Sequence, residues 1–274
     1  MIRLGGHGVG AGQPLLVIAG PDVIESAEHA LRHARLLLDI TRAHALPFLF
    51  KCSFDKANRT SGTAFRGPGL TEGLRILAKV KREVGVPVLT DVHETAQVAA
   101  VAEVVDVLQV PAFLCRQTDL VVAVARSGRG VNLKKGQFVA PLDMLQAARK
   151  ATETGNPNVL VTERGVSFGY HNLVVDMRGL HQMRAAGLAV CFDATHSVQL
   201  PSAQGHASGG ERSLVAVLAR AAVAAGVDAL FAEVHEAPDT APCDGPCSLT
   251  PEMFDTTLRD LVAIRRALGE QGPS

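Results

Sequence analysis

The chain of 274 residues has no tryptophan, one tyrosine and ten phenylalanines. So thin an aromatic supply leaves little for nucleobases to stack on, and Lys+Arg and Asp+Glu cancel at 27 each, which removes the basic excess that general nucleic-acid binding uses. Any anionic ligand must be met by a local cluster of cations. The five cysteines (Cys52, Cys115, Cys191, Cys243, Cys247) are an odd, scattered set without a Cys-x-x-Cys pair. They suggest neither a disulfide framework nor a cysteine zinc site, and a reducing cytoplasm is the expected compartment. No apolar run approaches the ~20 residues of a membrane span, and the opening MIRLGGHGVG lacks a signal-peptide apolar region. Neither a membrane nor a nucleic acid is expected as a partner.

What the chain does have is alternation. Hydrophobic residues make up 47% and charged residues 20%, enough for a sizeable core. Short runs rich in Val, Ile, Leu and Phe recur at 15–19, 47–53, 87–92, 105–111, 130–134, 158–163, 188–193 and 229–234. Between several of them, as in 26–44, 70–84, 210–225 and 251–268, apolar residues fall at helical spacing. Repeated βα units predict a parallel sheet, and this many in one chain predict a closed (β/α)8 barrel of the TIM type, with an open doubly wound sheet as the alternative. A single domain over 1–274 is expected, with the Gly-rich 1–14 as a short N-terminal extension, a hairpin or lid under the barrel floor.

Barrel enzymes carry their chemistry at the carboxyl ends of the strands. In chain order those ends read Asp22; Lys51 and Lys56; Asp91 and His93; Gln109; Lys134 and Lys135; Glu163 and Arg164; Asp193 and His196; Glu233 and His235. Ser, Thr or Asn caps would suffice for structure, and charges at nearly every end point to an active site. The segment FKCSFDKANRTS (50–61) offers three cations, an amide and three hydroxyls, a set that binds oxyanions by charge-assisted hydrogen bonds. Its alternative reading is a solvated charged loop. Lys134 and Arg164 add cations for a second anion. Gly205, Gly209 and Gly210, ahead of a helix with Arg212 on its first turn, are a weak anion-site signal that a surface loop explains equally well.

A separate subset, Asp22, His196, Glu233 and Asp244, comes from the first, seventh and eighth strand ends, which become neighbours once a barrel closes. Imidazole with carboxylates suits a divalent cation. Without a cation, like-charged carboxylates ~4 Å apart cost about 1–4 kcal/mol per pair; the cluster must then hold a proton, recruit a lysine or bind an ion. Ser26 is better placed than Asp22 to cap the first helix. His235 is a second-layer candidate beside Glu233. His29, His33 and His181 fall on helices and are expected to face solvent, and Cys52, Cys115 and Cys191 are expected as small core residues.

The motifs AGPDVIES (19–26), FKCSFDKANRTS (50–61), TDVHE (90–94), LQVPAFLCRQTDL (108–120), NLKKGQF (132–138), TERGVSFGYHNLVVDMR (162–178), FDATHSVQLP (192–201) and FAEVHEAPDTAPCDGP (231–246) closely resemble the 3-deoxy-D-manno-octulosonate 8-phosphate synthase family. The resemblance spans residues 15 to about 265. It implies a (β/α)8 barrel, a homotetramer, and condensation of phosphoenolpyruvate with D-arabinose 5-phosphate to an eight-carbon phosphate that feeds bacterial lipopolysaccharide. Carried over residue by residue, it assigns Lys51, Lys56, Gln109, Lys134 and Arg164 to phosphoenolpyruvate. Asn58, Arg59 and Thr60 go to the sugar phosphate and Arg116 to the sugar phosphate of a neighbouring subunit, and Ser53 of the same motif is expected among the substrate-binding residues. His196 and Lys134 are expected to serve catalysis, with Asp91 and Asp193 orienting substrate hydroxyls or water. The sibling heptulosonate synthase, which uses erythrose 4-phosphate, typically reads KPRT where this chain reads KANRT. A silent phosphosugar-binding barrel is the alternative from another class.

Asp22 departs from the family pattern. The metal-dependent branch has Cys there and the metal-independent branch Asn, while Cys243-Asp244-Gly245-Pro246 looks more like the metal-independent branch. Oxygen-rich donors with one histidine favour Mn²⁺, Fe²⁺ or Mg²⁺, with Zn²⁺ a further candidate, and metal binding by Asp22, His196, Glu233 and Asp244 is the expectation.

Overall fold

The computed structural model describes residues 1–59, 61–201 and 208–269. Eight parallel strands close into a barrel: β1 (Leu16–Gly20), β2 (Phe48–Lys51), β3 (Val88–Asp91), β4 (Val107–Val110), β5 (Gly130–Lys134), β6 (Val159–Glu163), β7 (Ala189–Asp193) and β8 (Ala229–Glu233). The sheet shuts where β8 pairs with β1, in a register running from Ala229 beside Leu16 to Glu233 beside Gly20. Each strand is followed by a helix: α1 (Ala27–Ala43), α2 (Leu70–Val84), α3 (Val98–Val104), α4 (Thr118–Arg126), α5 (Met144–Thr152), α6 (Met177–Ala185), α7 (Val215–Ala224) and α8 (Pro251–Ala267). The closed barrel is the expected one, and no helix among the described residues is long and apolar enough to cross a membrane.

Period-two alternation sorts each strand between two cores. Leu16, Ile18, Leu49, Leu89, Val107, Leu160 and Phe231 fill the inside, while Leu15, Val17, Ala19, Phe50, Val88 and Leu108 face the helices. Ser26, rather than Asp22, caps α1, accepting from the His29 N–H at 3.1 Å. At the barrel floor Ile2–Leu4 and His7–Val9 pair as an antiparallel hairpin. Leu4 and Val9, both fully buried, pack with the inner strand residues and seal that end with apolar surface. Gly20 lies where β1 passes β2 so closely that a Cβ would come 1.9 Å from the Lys51 carbonyl oxygen. No other residue fits there.

The alternation also divides the strand-end charges. Lys134 turns inward, whereas its neighbour Lys135 turns outward, donating to the carbonyls of Gly136 (3.2 Å) and Val139 (3.0 Å) and lying 3.4 Å from Glu163. Glu163 in turn accepts from the backbone N–H groups of Arg164 (2.9 Å) and Gly165 (2.6 Å). Lys135 and Glu163 therefore brace the loops after β5 and β6 and leave the cavity to their neighbours.

His29 and His33 correct the expectation of solvent-facing positions: both are buried, against His235 in the loop after β8, while His181 is exposed. The reason is that α1 packs against the barrel at the closing seam, where the β8 loop supplies polar partners. Burial, with His33, His235 and Arg32 close by, pushes the His29 pKa from 6.5 down to about 3, against a small opposing pull from Glu236. Glu25, 3.6 Å away, completes the charged surroundings. The native state thus refuses a proton that the unfolded chain accepts. This share of stability is complete above about pH 6.5 and falls as pH drops from 6.5 toward 3. Denaturant midpoints followed from neutral pH down to about pH 5 are expected to fall less steeply in His29→Asn than in the parent. Parallel curves would show that His29 does not resist protonation.

Candidate active site

The carboxyl ends of the strands surround a cavity of about 950 Å³. Lys51, Lys56, Asn58, Arg59 and Gln109 line one side, and Lys134, Arg164, Asp193, His196 and Asp244 the other, with Asp91 and His93 between them. Asp22 and Glu233 are buried beneath it, at the ends of the two strands that close the barrel. Ser53 is fully buried, does not reach the cavity wall, and donates instead to Asp91 Oδ1. Arg116 lies exposed outside the cavity. Thr60 and Gly205 lie outside the described residues. Gly209 and Gly210 pair with Gln199 and Leu200, where a Cβ on Gly210 would strike Cys247. Arg212 is held by Asp239 (2.8 Å) and the Gly245 carbonyl (2.7 Å), so these groups are spent on packing and not on an anion nest.

The four anticipated metal donors converge. One ligand atom from each of Asp22, His196, Glu233 and Asp244 lies within 4.8 Å of all the others. His196 Nε2 stands 3.4 Å from Glu233 Oε1 and 3.5 Å from Asp244 Oδ2. Asp244 reaches this position from a left-handed backbone conformation (φ 48°), which Asp tolerates better than most residues. On the other side Asp22 is ion-paired with Lys56, and Lys51 Nζ sits 3.6 Å from both Asp22 Oδ1 and Glu233 Oε1 while donating to the Asp22 carbonyl at 3.0 Å.

Burial would raise the pKa of Asp22, but Lys56 and Lys51 overcome it and hold the carboxyl well below the usual range. Glu233, buried and facing the Asp22 charge, shifts upward instead. The negative charge therefore rests on Asp22, and Glu233 favours a proton. Burial would also lower His196, yet Asp193 and Glu233 outweigh it and raise the imidazole to about 9. Asp22 Oδ2 and both Glu233 oxygens are buried without a hydrogen-bond partner among the described residues. Orphaned oxygens beside an imidazole and a third carboxylate fit a divalent cation, whose charge would compete with that of Lys56 for Asp22.

A second ionic group crosses the barrel. Lys134 pairs with Asp193 Oδ2, and its ammonium lies 3.3 Å from the Phe231 ring centroid, so the charge is held on one side by a carboxylate and on the other by a π face. Asp193 also accepts from the His196 backbone N–H at 2.9 Å and lies 2.8 Å from His196 Nδ1, which fixes that ring's direction. Asp91 is bound by Ser53 and by His93 Nε2 at 2.9 Å. Arg59 donates to Cys243 and to the Pro242 carbonyl (2.9 Å), tying the loop after β2 to the loop after β8.

Gln199 is the functional position that the residue-by-residue reading passed over. Its side-chain oxygen accepts from Arg164 at 2.8 Å and its amide donates to Asp244 Oδ1 at 3.0 Å, bridging an anion-binding cation to the carboxylate cluster. Its place in FDATHSVQLP, three residues after His196, was the available signal.

The profile of the DAHP synthetase I family matches residues 4–268. A 2-dehydro-3-deoxyphosphooctonate aldolase of Pelobacter propionicus is 58% identical over 263 residues, covering 96% of this chain and 97% of its own length. Its namesake in Trichlorobacter lovleyi is 57% identical with the same coverage. That of Acidithiobacillus ferrooxidans is 58% identical over 270 residues, covering 98% of this chain and 96% of its own.

Removing one partner from the Lys134–Asp193 pair leaves an uncompensated buried charge. Lys134→Met is expected to cost about 3–5 kcal/mol in denaturant unfolding, and Lys134→Met/Asp193→Leu to recover part of it. A double-variant loss equal to the sum of the Lys134→Met and Asp193→Leu losses would show that the two charges are not coupled.

Proposed function

The chain belongs to the DAHP synthetase I family, and within it we propose that it condenses phosphoenolpyruvate with D-arabinose 5-phosphate and water, giving 3-deoxy-D-manno-octulosonate 8-phosphate and inorganic phosphate. It is a transferase of lipopolysaccharide biosynthesis, acting in the cytoplasm as one barrel domain. The observation that carries this reading is the meeting of two oxyanion-binding groups at one barrel mouth, Lys51, Lys56, Lys134 and Arg164 with Gln109 on one hand and Asn58 and Arg59 on the other, around the Asp22–His196–Glu233–Asp244 cluster.

Each substrate brings a phosphate, and phosphoenolpyruvate adds a carboxylate, so charge and geometry both select the pair. Lys134 and Arg164 hold phosphoenolpyruvate with Lys51, Lys56 and Gln109, while Asn58, Arg59 and Thr60 take the sugar phosphate. Ser53 contributes indirectly, through Asp91. Carbon 3 of the enol phosphate attacks the aldehyde carbon, carbon 2 develops cationic character and is captured by water, and the hemiketal phosphate loses phosphate by C–O cleavage. Preorganised cations hold the reactants in line and stabilise the oxyanions at no cost of reorganisation. His196, its ring direction set by Asp193, holds the attacking water in place, and Asp91 orients a substrate hydroxyl. A divalent cation held by Asp22, His196, Glu233 and Asp244 would supply Lewis-acid polarisation of a substrate oxygen.

The active form is a homotetramer in this reading, with Arg116 reaching a neighbour's sugar phosphate. Phe113, Phe138, Phe168 and Tyr170, on the loops after β4, β5 and β6, are 54, 62, 65 and 98% exposed. In a chain with only eleven Phe and Tyr, ten and one, so many aromatics spent on one rim suit a partner surface.

Phosphate release is the test. Chelated protein given both substrates is expected to regain activity when Mn²⁺ or Fe²⁺ is restored, and to turn over erythrose 4-phosphate far more slowly than arabinose 5-phosphate. Full activity after exhaustive chelation would overturn the catalytic metal. No phosphate release under any condition would leave the silent barrel.

A further inference from the structure

Outside the cavity, at the seam where β8 closes on β1, three histidines meet. His29 and His33 lie one turn apart on α1, and His235 comes from the loop after β8. Their ring centroids are 4.0, 5.0 and 5.4 Å apart, and all three are buried. Glu25 and Glu236 flank them, the latter held by Arg32 Nε at 3.0 and 3.1 Å.

The hydrogen bonds assign the protons. His33 Nε2 accepts from the Glu236 backbone N–H at 3.2 Å, so Nδ1 carries hydrogen and donates to the His29 carbonyl at 2.9 Å. His235 Nδ1 accepts from the Ala237 N–H at 3.0 Å, so Nε2 carries hydrogen and donates to Glu25 Oε1 at 2.8 Å, with His29 Nε2 3.2 Å away. A metal-binding imidazole shows the reverse arrangement, a bare nitrogen toward the site and an N–H toward an acceptor behind it. Protons therefore occupy this cluster where a metal would otherwise sit.

Three of these contacts, Glu236 N–H to His33, His235 to Glu25 and His235 to His29, join the segment that follows Asp22 to the segment that follows Glu233, and the other two fix the rings that make them. Glu25 is three residues beyond Asp22, and His235 and Glu236 are two and three beyond Glu233. We propose that Glu25, His29, His33 and His235 form a positioning clamp that sets the separation of the Asp22 and Glu233 carboxylates from outside the barrel. The proposal rests on the reading that those carboxylates serve the reaction. Strand pairing ends at Gly20 and Glu233, two residues short of Asp22, so the loop that carries Asp22 needs a separate tie to the one after Glu233, and the clamp is placed to provide it.

Three variants test it. His33→Leu removes both hydrogen bonds at similar volume, His33→Gln can restore a donor and an acceptor, and Glu25→Gln alters the half-exposed partner of His235 with little risk to folding. If the clamp positions the site, His33→Leu and Glu25→Gln lower kcat about tenfold, the scale expected of a misplacement under 1 Å. The KM values move less than twofold, and His33→Gln recovers most of the loss. The second readout needs no turnover: the ¹⁵N resonances of the His196 imidazole, whose Nε2 lies 3.4 Å from Glu233, shift in His33→Leu and Glu25→Gln. Folded variants with kcat within twofold of the parent and unshifted His196 resonances would overturn the clamp. If His33→Leu does not fold, Glu25→Gln decides alone. If the parent enzyme releases no phosphate, the functional reading fails and the His196 resonances alone decide the clamp.

Discussion

A carboxylate that is 4% exposed keeps its charge only if cations are delivered to it, and the neighbouring strand β2 makes that delivery at Asp22. β1 brings the acid, β2 brings Lys51 and the loop carrying Lys56, and β8, hydrogen-bonded to β1, brings Glu233 to the same spot. Two ammonium groups against two carboxylates leave Asp22 ionised and Glu233 inclined to hold a proton. The site is thus electrically closed before a substrate arrives. In the proposed function ligand binding becomes an exchange of partners: phosphate or carboxylate on a substrate would draw the lysines, and the carboxylates so released would suit a divalent cation.

The same logic runs across the barrel. Lys134 is held between Asp193 and the Phe231 ring, so its charge is positioned without being cancelled outright. Asp193 meanwhile aims His196 at the acids. Gln199 links Arg164 to Asp244, which makes the anion-binding wall and the carboxylate cluster one connected network. Changes at one end should therefore be felt at the other, in keeping with the non-additivity of contacting polar groups.

The barrel was legible because each strand is a short apolar run, nearly all of them ending in a charge, and each long helix shows its period. A parallel closed sheet is the arrangement that uses eight such units in 274 residues. The convergence of Asp22, His196, Glu233 and Asp244 was legible for the same reason, since closure makes first and last strands neighbours. Other features were hidden by partners that only the fold supplies. Ser53 looked like a ligand group beside two lysines, but its hydroxyl is fully buried and spent on Asp91. His29 and His33 looked solvent-facing because histidine is polar, and the loop after β8 that buries them lies some 200 residues away, for example 206 from His29 to His235. Gln199 has no chemistry of its own to mark it, and its role comes from standing between Arg164 and Asp244.

The central claim is that Lys56 and a divalent cation compete for Asp22. Mn²⁺ titration followed by electron paramagnetic resonance, on the parent, Lys56→Gln and Asp22→Asn, puts it to the test directly. Tighter Mn²⁺ binding in Lys56→Gln than in the parent, and binding lost in Asp22→Asn, are expected. Affinity unchanged in Lys56→Gln, or retained in Asp22→Asn, would contradict the exchange and leave Asp22 a structural counter-ion to its two lysines.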